Sequence, residues 1–218
     1  MIIRVEDLKK TYRAPDGSPQ EVLRIGRLEI PDGAQWVITG RSGSGKTTFL
    51  NVLGGIVSPD AGRVVIGDTD VTVLPEAKRD RFRARHLGYV FQTFNLLDGF
   101  DALENVLVAM LFGGGVDRER AHRLLDRVGL SDRKGYRPSE LSVGQQQRVA
   151  IARALANDPQ VILADEPTGN VDPATGETII ALLKEVCAEK KRTLILVTHQ
   201  PQVVNSFKDV MDLSKLQN

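Results

Sequence analysis

Apolar and polar positions divide the chain into three textures. "VILAD" (161–165) is a continuous apolar run, the pattern of a parallel strand covered on both faces, and "TLILVTH" (193–199) reads as a second buried strand. "QWVITG" (35–40) is a short apolar strand followed by glycines and by a helix that begins near Lys46. "IIRVEDLKKTY" (2–12) and "QEVLRIGRLEI" (20–30) read as early strands around the turn-rich "RAPDGSP". "GRVVIGDTDV" and "LGYVF" add two more, and the basic "EAKRDRFRARH" between them reads as a solvated helix.

From 93 to 158 the texture is helical: "DALENVLVAMLF", "DRERAHRLLDRVGL" and "VGQQQRVAIARALAN". The last places Val143, Ala150, Ile151, Ala154 and Leu155 on one stripe. "GGG" at 113–115 reads as a flexible joint between the first two helices. After Pro159 strands and helices alternate again, and "PATGETIIALLKEVCAEKK" has Asp172 as its N-cap and Pro173 at its first position. The expected fold class is an α/β core interrupted by a mostly helical insert.

Composition narrows the function. With 29 Lys+Arg against 28 Asp+Glu in 218 residues, a strongly basic nucleic-acid surface is not signalled. Cys187 is the single cysteine, so no internal disulfide forms and a reducing compartment is expected. No apolar run reaches the roughly 18 residues of a membrane span, and the charged "MIIRVEDLKK" is not a signal peptide. A cytoplasmic chain is expected.

"GRSGSGKT" (40–47) matches G-x-x-x-x-G-K-[ST] in full, between a strand and a helix. Glycines let backbone N–H groups converge on one anion, Lys46 can reach the β- and γ-phosphates, and the Thr47 hydroxyl can ligate Mg²⁺. Asp165, at the end of "VILAD", supplies a second metal ligand. Glu166 beside it is the candidate general base, given hydrogen-bond reach to the attacking water. Parallel strands open their sites at their carboxyl ends, so Asp165 and the Gly40 loop can meet. His199 ends another core strand and faces the same crevice; His86 and His122 carry no such argument. Gln92, just past "LGYVF", contacts Mg²⁺ or the lytic water, or caps a turn.

These motifs, with "LSVGQ" (141–145) and "GNVD" (169–172), occur in the order found in ATP-binding-cassette (ABC) ATPases, and the chain resembles that family along essentially its whole length. The resemblance implies a single nucleotide-binding domain over 1–218. Its P-loop core and small antiparallel β lobe would occupy about 1–92 and 159–218, and its helical lobe about 93–158. It implies ATP as substrate, contacted by Tyr12 stacked on adenine and by Gly40, Arg41, Ser42, Gly43, Ser44, Gly45, Lys46, Thr47 and Thr48. Thr47, Gln92 and Asp165 would serve Mg²⁺. Glu166, His199, Gln92 and Lys46 would carry catalysis.

"LSVGQ" is similar to the family signature Leu-Ser-Gly-Gly-Gln, which acts on the ATP of a second domain packed head to tail. Ser142, Val143, Gly144 and Gln145 would thus be half of a composite site, with Asp172 in the loop connecting the two sites. Val143 replaces the usual glycine, adding a stiff side chain beside the phosphate path. The tail after "VTHQPQVVNSF" departs from the family's usual strand-and-glycine ending, and Gln200 stands where relatives often have an acid.

"YVFQTFNLLDGFDALENV" resembles the lipoprotein-releasing and macrolide-export branch (the LolD, MacB and FtsE type). Partners expected on that basis are a second copy of the chain and separate membrane permease subunits, with no nucleic acid. The chain would sit peripherally on the inner face of the cell membrane. Phe91, Phe94, Leu96, Leu97 and Phe100 line a groove for the permease or pack the core. Within that branch the expected role is transport, most readily export or lipoprotein release, or mechanotransmission through the membrane partner; the competing class is a soluble ABC ATPase acting on DNA, ribosomes or iron–sulfur assembly. Long coiled-coil insertions and tandem cassettes, which mark several of those, are not in the sequence.

Overall fold

A computed structural model describes residues 1–216. Its first half contains β1 (Ile3–Arg13), β2 (Pro19–Ile30), β3 (Gln35–Thr39), α1 (Lys46–Leu53), β4 (Ala61–Ile66), β5 (Thr69–Asp70), α2 (Glu76–His86) and β6 (Leu87–Val90). Then follow α3 (Ala102–Gly113), α4 (Arg118–Arg127), α5 (Val143–Ala154), β7 (Val161–Asp165), α6 (Pro173–Glu189), β8 (Thr193–Val197), α7 (Pro201–Asn205) and β9 (Asp209–Asp212).

Two sheets result. One is antiparallel, in the order β2-β1-β4-β5; "GRVVIGDTDV" forms a hairpin there rather than one strand. The other is parallel, in the order β6-β7-β8-β3-β9. Every residue of β7 and β8 is buried, as their apolar runs require. Successive side chains point to opposite faces. Ile162, Ala164, Leu194 and Leu196 therefore join the core beneath α3–α6. Val161, Leu163, Ile195 and Val197 join the core shared with α1 and the antiparallel sheet. Burying each such Leu or Ile stabilises the fold by about 1.5–3 kcal/mol.

Helix starts follow their sequence signals. Asp101 and Glu104 form a reciprocal capping box on α3, and Asp172 accepts from Thr175 N at the head of α6, with Pro173 next. Cys187 is buried in α6, and burial pushes its thiol up to about 12.

Three further sequence expectations are corrected. The tail does contain a strand: β9 pairs in parallel with β3 from Trp36↔Asp209 to Thr39↔Asp212. Its four residues are exposed or half-buried, so no apolar run announced it. Val143 does not share the buried stripe of α5; it is 44% exposed, whereas Ala150, Ile151, Ala154 and Leu155 are buried. Gly113 is not part of a loose joint. It ends α3 against Asn157, where an added Cβ would lie 2.1 Å from the amide carbon. Asn157 in turn donates to the carbonyls of Ala84 and Ala109, bracing α2 and α3.

Candidate active site

β3, β6, β7 and β8 run parallel, so their carboxyl ends deliver Gly40, Gln92, Asp165 and His199 to one side of the sheet. A cleft of about 650 Å³ lies there. Tyr12, Gln92, Glu166, His199 and the loop residues Gly40, Arg41, Ser42, Gly43, Gly45, Lys46, Thr47 and Thr48 line it. Ser44 and Asp165 do not line it directly, although Asp165 touches Thr47, which does. Tyr12 arrives past a bulge in β1 between Lys10 and Thr11, and the residue is 40% exposed.

The loop's shape explains its glycines. Gly43 and Gly45 have φ of 75° and 87°, where a side chain would be strained. Gly45 also passes so close to β2 that a Cβ would lie 2.6 Å from the Val22 carbonyl oxygen. Val22, which the sequence did not single out, thereby shapes the cleft wall. No side chain caps α1, whose first-turn N–H groups are open to an anion. Lys46 Nζ donates to the carbonyls of Gly40 (3.0 Å) and Arg41 (2.9 Å), which hold the ammonium at the loop.

The two acids of "VILADEPT" have different surroundings. Asp165 Oδ1 accepts from the Thr47 hydroxyl at 3.2 Å. Burial raises its pKa above the usual aspartate value, and the Glu166 charge pushes the same way, against the Thr47 hydrogen bond and Lys46. Glu166 is buried and has a left-handed backbone, φ 44°. Its Oε2 accepts from the Thr198 hydroxyl at 2.9 Å. Its Oε1 accepts from His199 N at 3.1 Å and lies 2.6 Å from His199 Nδ1. Strained backbone persists where surrounding bonds over-determine it. Thr198, fully buried just past β8, was missed from sequence, where nothing marks its hydroxyl as a partner of Glu166.

Gln92 lines the cleft while its carbonyl accepts from Asn170 Nδ2 at 2.8 Å. This joins the segment after β6 to the turn that precedes Asp172. Gln200 makes a two-point contact with Thr168: its Oε1 accepts from the Thr168 hydroxyl at 2.9 Å, and its Nε2 donates to the Thr168 carbonyl at 3.2 Å. An amide supplies both a donor and an acceptor, which a carboxylate at this position would not.

The signature lies elsewhere. Ser142, Val143, Gly144 and Gln145 share a second concavity of about 430 Å³ with Asp172 and Thr175, and no described residue lines both this and the first cleft. Ser142 is the N-cap of α5: its hydroxyl accepts from Gln145 N (3.3 Å), and Gln145 Oε1 accepts from Ser142 N (2.9 Å). Gly144 lies against α6, where a Cβ would come 2.7 Å from Thr175 Cγ2.

A third depression, about 480 Å³, is lined by Phe91, Phe112, Ala109 and Arg153 among others. Of the five apolar residues expected at a groove, only Phe91 lines it, with its ring stacked on Tyr89 at 4.1 Å between centroids. Leu96 packs on the core; Leu97 and Phe100 are exposed.

A phosphate-binding loop on a parallel sheet, paired acids at a strand end and a remote capped helix start define the class of an ATP-binding cassette, and comparison with known proteins agrees. The chain belongs to the ABC transporter family, whose model matches residues 23–169. It is an ATP-binding, ATP-hydrolysing member of that family. The lipoprotein-releasing system ATP-binding protein LolD of Syntrophus aciditrophicus (strain SB) is 49% identical over 201 residues, covering 91% of this chain and 90% of that protein. The macrolide export ATP-binding/permease protein MacB of Syntrophobacter fumaroxidans (strain DSM 10017 / MPOB) is 43% identical over 215 residues, covering 96% of this chain and 30% of that protein. The ATP-binding cassette MJ0796, solved as a dimer in a post-hydrolysis state with ADP and Pi, superposes with a TM-score of 0.89 at 37% identity. That match covers 96% of this chain and 93% of the other.

Proposed function

We propose that two copies of this chain clasp ATP between the Gly40–Thr48 loop of one and the Ser142–Gln145 helix start of the other, and that hydrolysis drives a membrane permease. The observation that carries this reading is the separation of the two concavities, with phosphate-loop chemistry in one and a capped helix start in the other. The dimeric state of MJ0796 supports it.

Lys46 and the loop N–H groups neutralise the β- and γ-phosphates, and Tyr12 stacks on the base. Positioning and charge neutralisation supply most of the acceleration in such chemistry. Thr47, Asp165 and the Gln92 amide are hard oxygen donors suited to Mg²⁺. Beside a nucleotide's phosphates Mg²⁺ would need only one or two protein carboxylates, here Asp165, which is compatible with there being no larger acidic cluster among the described residues. When bound, Mg²⁺ supplies charge neutralisation at the phosphate oxygens.

Glu166 accepts the proton of the attacking water. Thr198 and His199 hold its carboxylate, and a proton on His199 Nδ1 lets that ring donate to Glu166 Oε1. We predict that Glu166→Gln keeps ATP binding but slows turnover by about 10²-fold or more and traps a closed dimer. Titration of bound nucleotide, single-turnover assays and sedimentation test this; wild-type turnover in the variant would remove Glu166 as the base.

The permease is of the lipoprotein-releasing or macrolide-export type, as the names of the similar proteins suggest. It docks at the depression beside Phe91. No helix among the described residues is long and apolar enough to cross a membrane, so the chain would lie on the inner membrane face through that permease. Co-purification with the membrane protein encoded next to it tests the pairing, and recovery of ribosomes or nucleic acid instead would argue for a soluble role.

A further inference from the structure

Arg153 stands near the carboxyl end of α5, whose opposite end carries the Ser142 cap. Its Nη2 donates to the Phe94 carbonyl at 2.5 Å and its Nη1 to the Asn95 carbonyl. Those two residues follow Gln92 closely and have left-handed backbones, φ 56° and 50°. Two consecutive non-glycine residues rarely hold that conformation unless something external fixes them. A planar guanidinium with two parallel N–H donors can fix both carbonyls at once, which an ammonium cannot. Upstream of this turn, Asn170 holds the Gln92 carbonyl. The segment is therefore pinned from both sides, by the signature helix and by the turn before Asp172.

We propose that Arg153 is a positioning residue for Gln92: its guanidinium fixes the reversed chain beyond Gln92 and ties it to the helix that bears Ser142 and Gly144. Movement of either the signature helix or the segment after β6 is then felt by the other. Arg153 also lines the depression beside Phe91, so an occupant there presses on the same bond pair. Burial lowers the pKa of this guanidinium, as partial desolvation of its charge requires. The inference rests on the assignment of Gln92 to the ATP site.

The test uses the full chain and four proteins: wild type, Arg153→Met, Arg153→Lys and Gln92→Ala, plus the Arg153→Met/Gln92→Ala double variant. Arg153→Met should lower kcat about ten-fold while the Kd for ATP stays within about two-fold, because binding belongs to the phosphate loop. Arg153→Lys should recover part of the loss. Hydrogen exchange in peptides spanning 92–97 should speed up in both. In the double variant the two losses should not multiply, since both act through one side chain. Should Arg153→Met fail to fold, Arg153→Lys, which keeps stem and charge, decides by its kcat and exchange. Wild-type kcat in a folded Arg153 variant overturns the proposal, as does a fully multiplicative double variant. Loss of turnover in Gln92→Ala with none in Arg153→Met sinks only the positioning role. A wild-type chain without Mg²⁺-dependent ATPase sinks the functional reading and this inference together.

Discussion

The two concavities that carry the family motifs are built in opposite ways. The phosphate-loop cleft is braced, with positive-φ glycines, a left-handed Glu166 and, against Thr47, a raised-pKa Asp165, and four parallel strands supply its parts. The signature concavity has one reciprocal cap, a half-exposed valine and a close helix contact. Under the proposed pairing, a site that organises charge and water is pre-formed by the sheet, whereas a surface that receives an already organised nucleotide needs only a helix start. The contrast teaches where substitutions will hurt chemistry and where they will hurt docking.

The sharpest way to break the contrast is to damage one region per chain. We predict that Lys46→Ala and Ser142→Ala each abolish most turnover alone. Mixed in equal amounts they should regain about a quarter of wild-type activity, since half the dimers then hold one intact composite site of two. No recovery in a mixture shown to exchange subunits would refute the shared site. Next in size is Asp165→Asn, expected to lower turnover by about 10²-fold. It should also stabilise the fold. A carboxyl with a raised folded-state pKa favours the native state at low pH, and that contribution is lost as pH rises above the ordinary value. The variant's melting advantage should therefore be absent in acid and open as pH increases above 3.8, and a pH-independent difference would show that burial of the charge is not its cause.

Smaller effects belong to Gly144 and Val143 within the signature. Gly144→Ala drives a methyl toward Thr175 and should cost about 1–3 kcal/mol in denaturant melts, with ATP affinity of the isolated chain unchanged. Val143→Gly should cost no more than about 1 kcal/mol of helix stability while turnover holds or rises. A large loss of turnover with intact folding would give the valine a role of its own.

Much of this was legible beforehand, for identifiable reasons. "GRSGSGKT" and "VILADEPT" are local patterns whose residue types are dictated by phosphate, metal and a doubly covered strand. Asp172 and Pro173 announced their helix because capping is decided within three residues. What escaped depends on partners far along the chain. Strand β9 exists because β3 offers it an edge, and "DVMD" alone has no strand pattern. Gly113 looked like a hinge because only Asn157, 44 residues later, reveals why a side chain is forbidden. Thr198 and Arg153 gained meaning only when folding set them against Glu166 and against the carbonyls of Phe94 and Asn95.

The flush contact of Gly144 on Thr175 has a mechanical corollary. It sets the starts of two helices, one headed by Ser142 and the other by Asp172, side by side on a single facet. Under the proposed pairing, a visiting subunit that grips one corner of that facet would turn the other with it, like two teeth cut on the same gear.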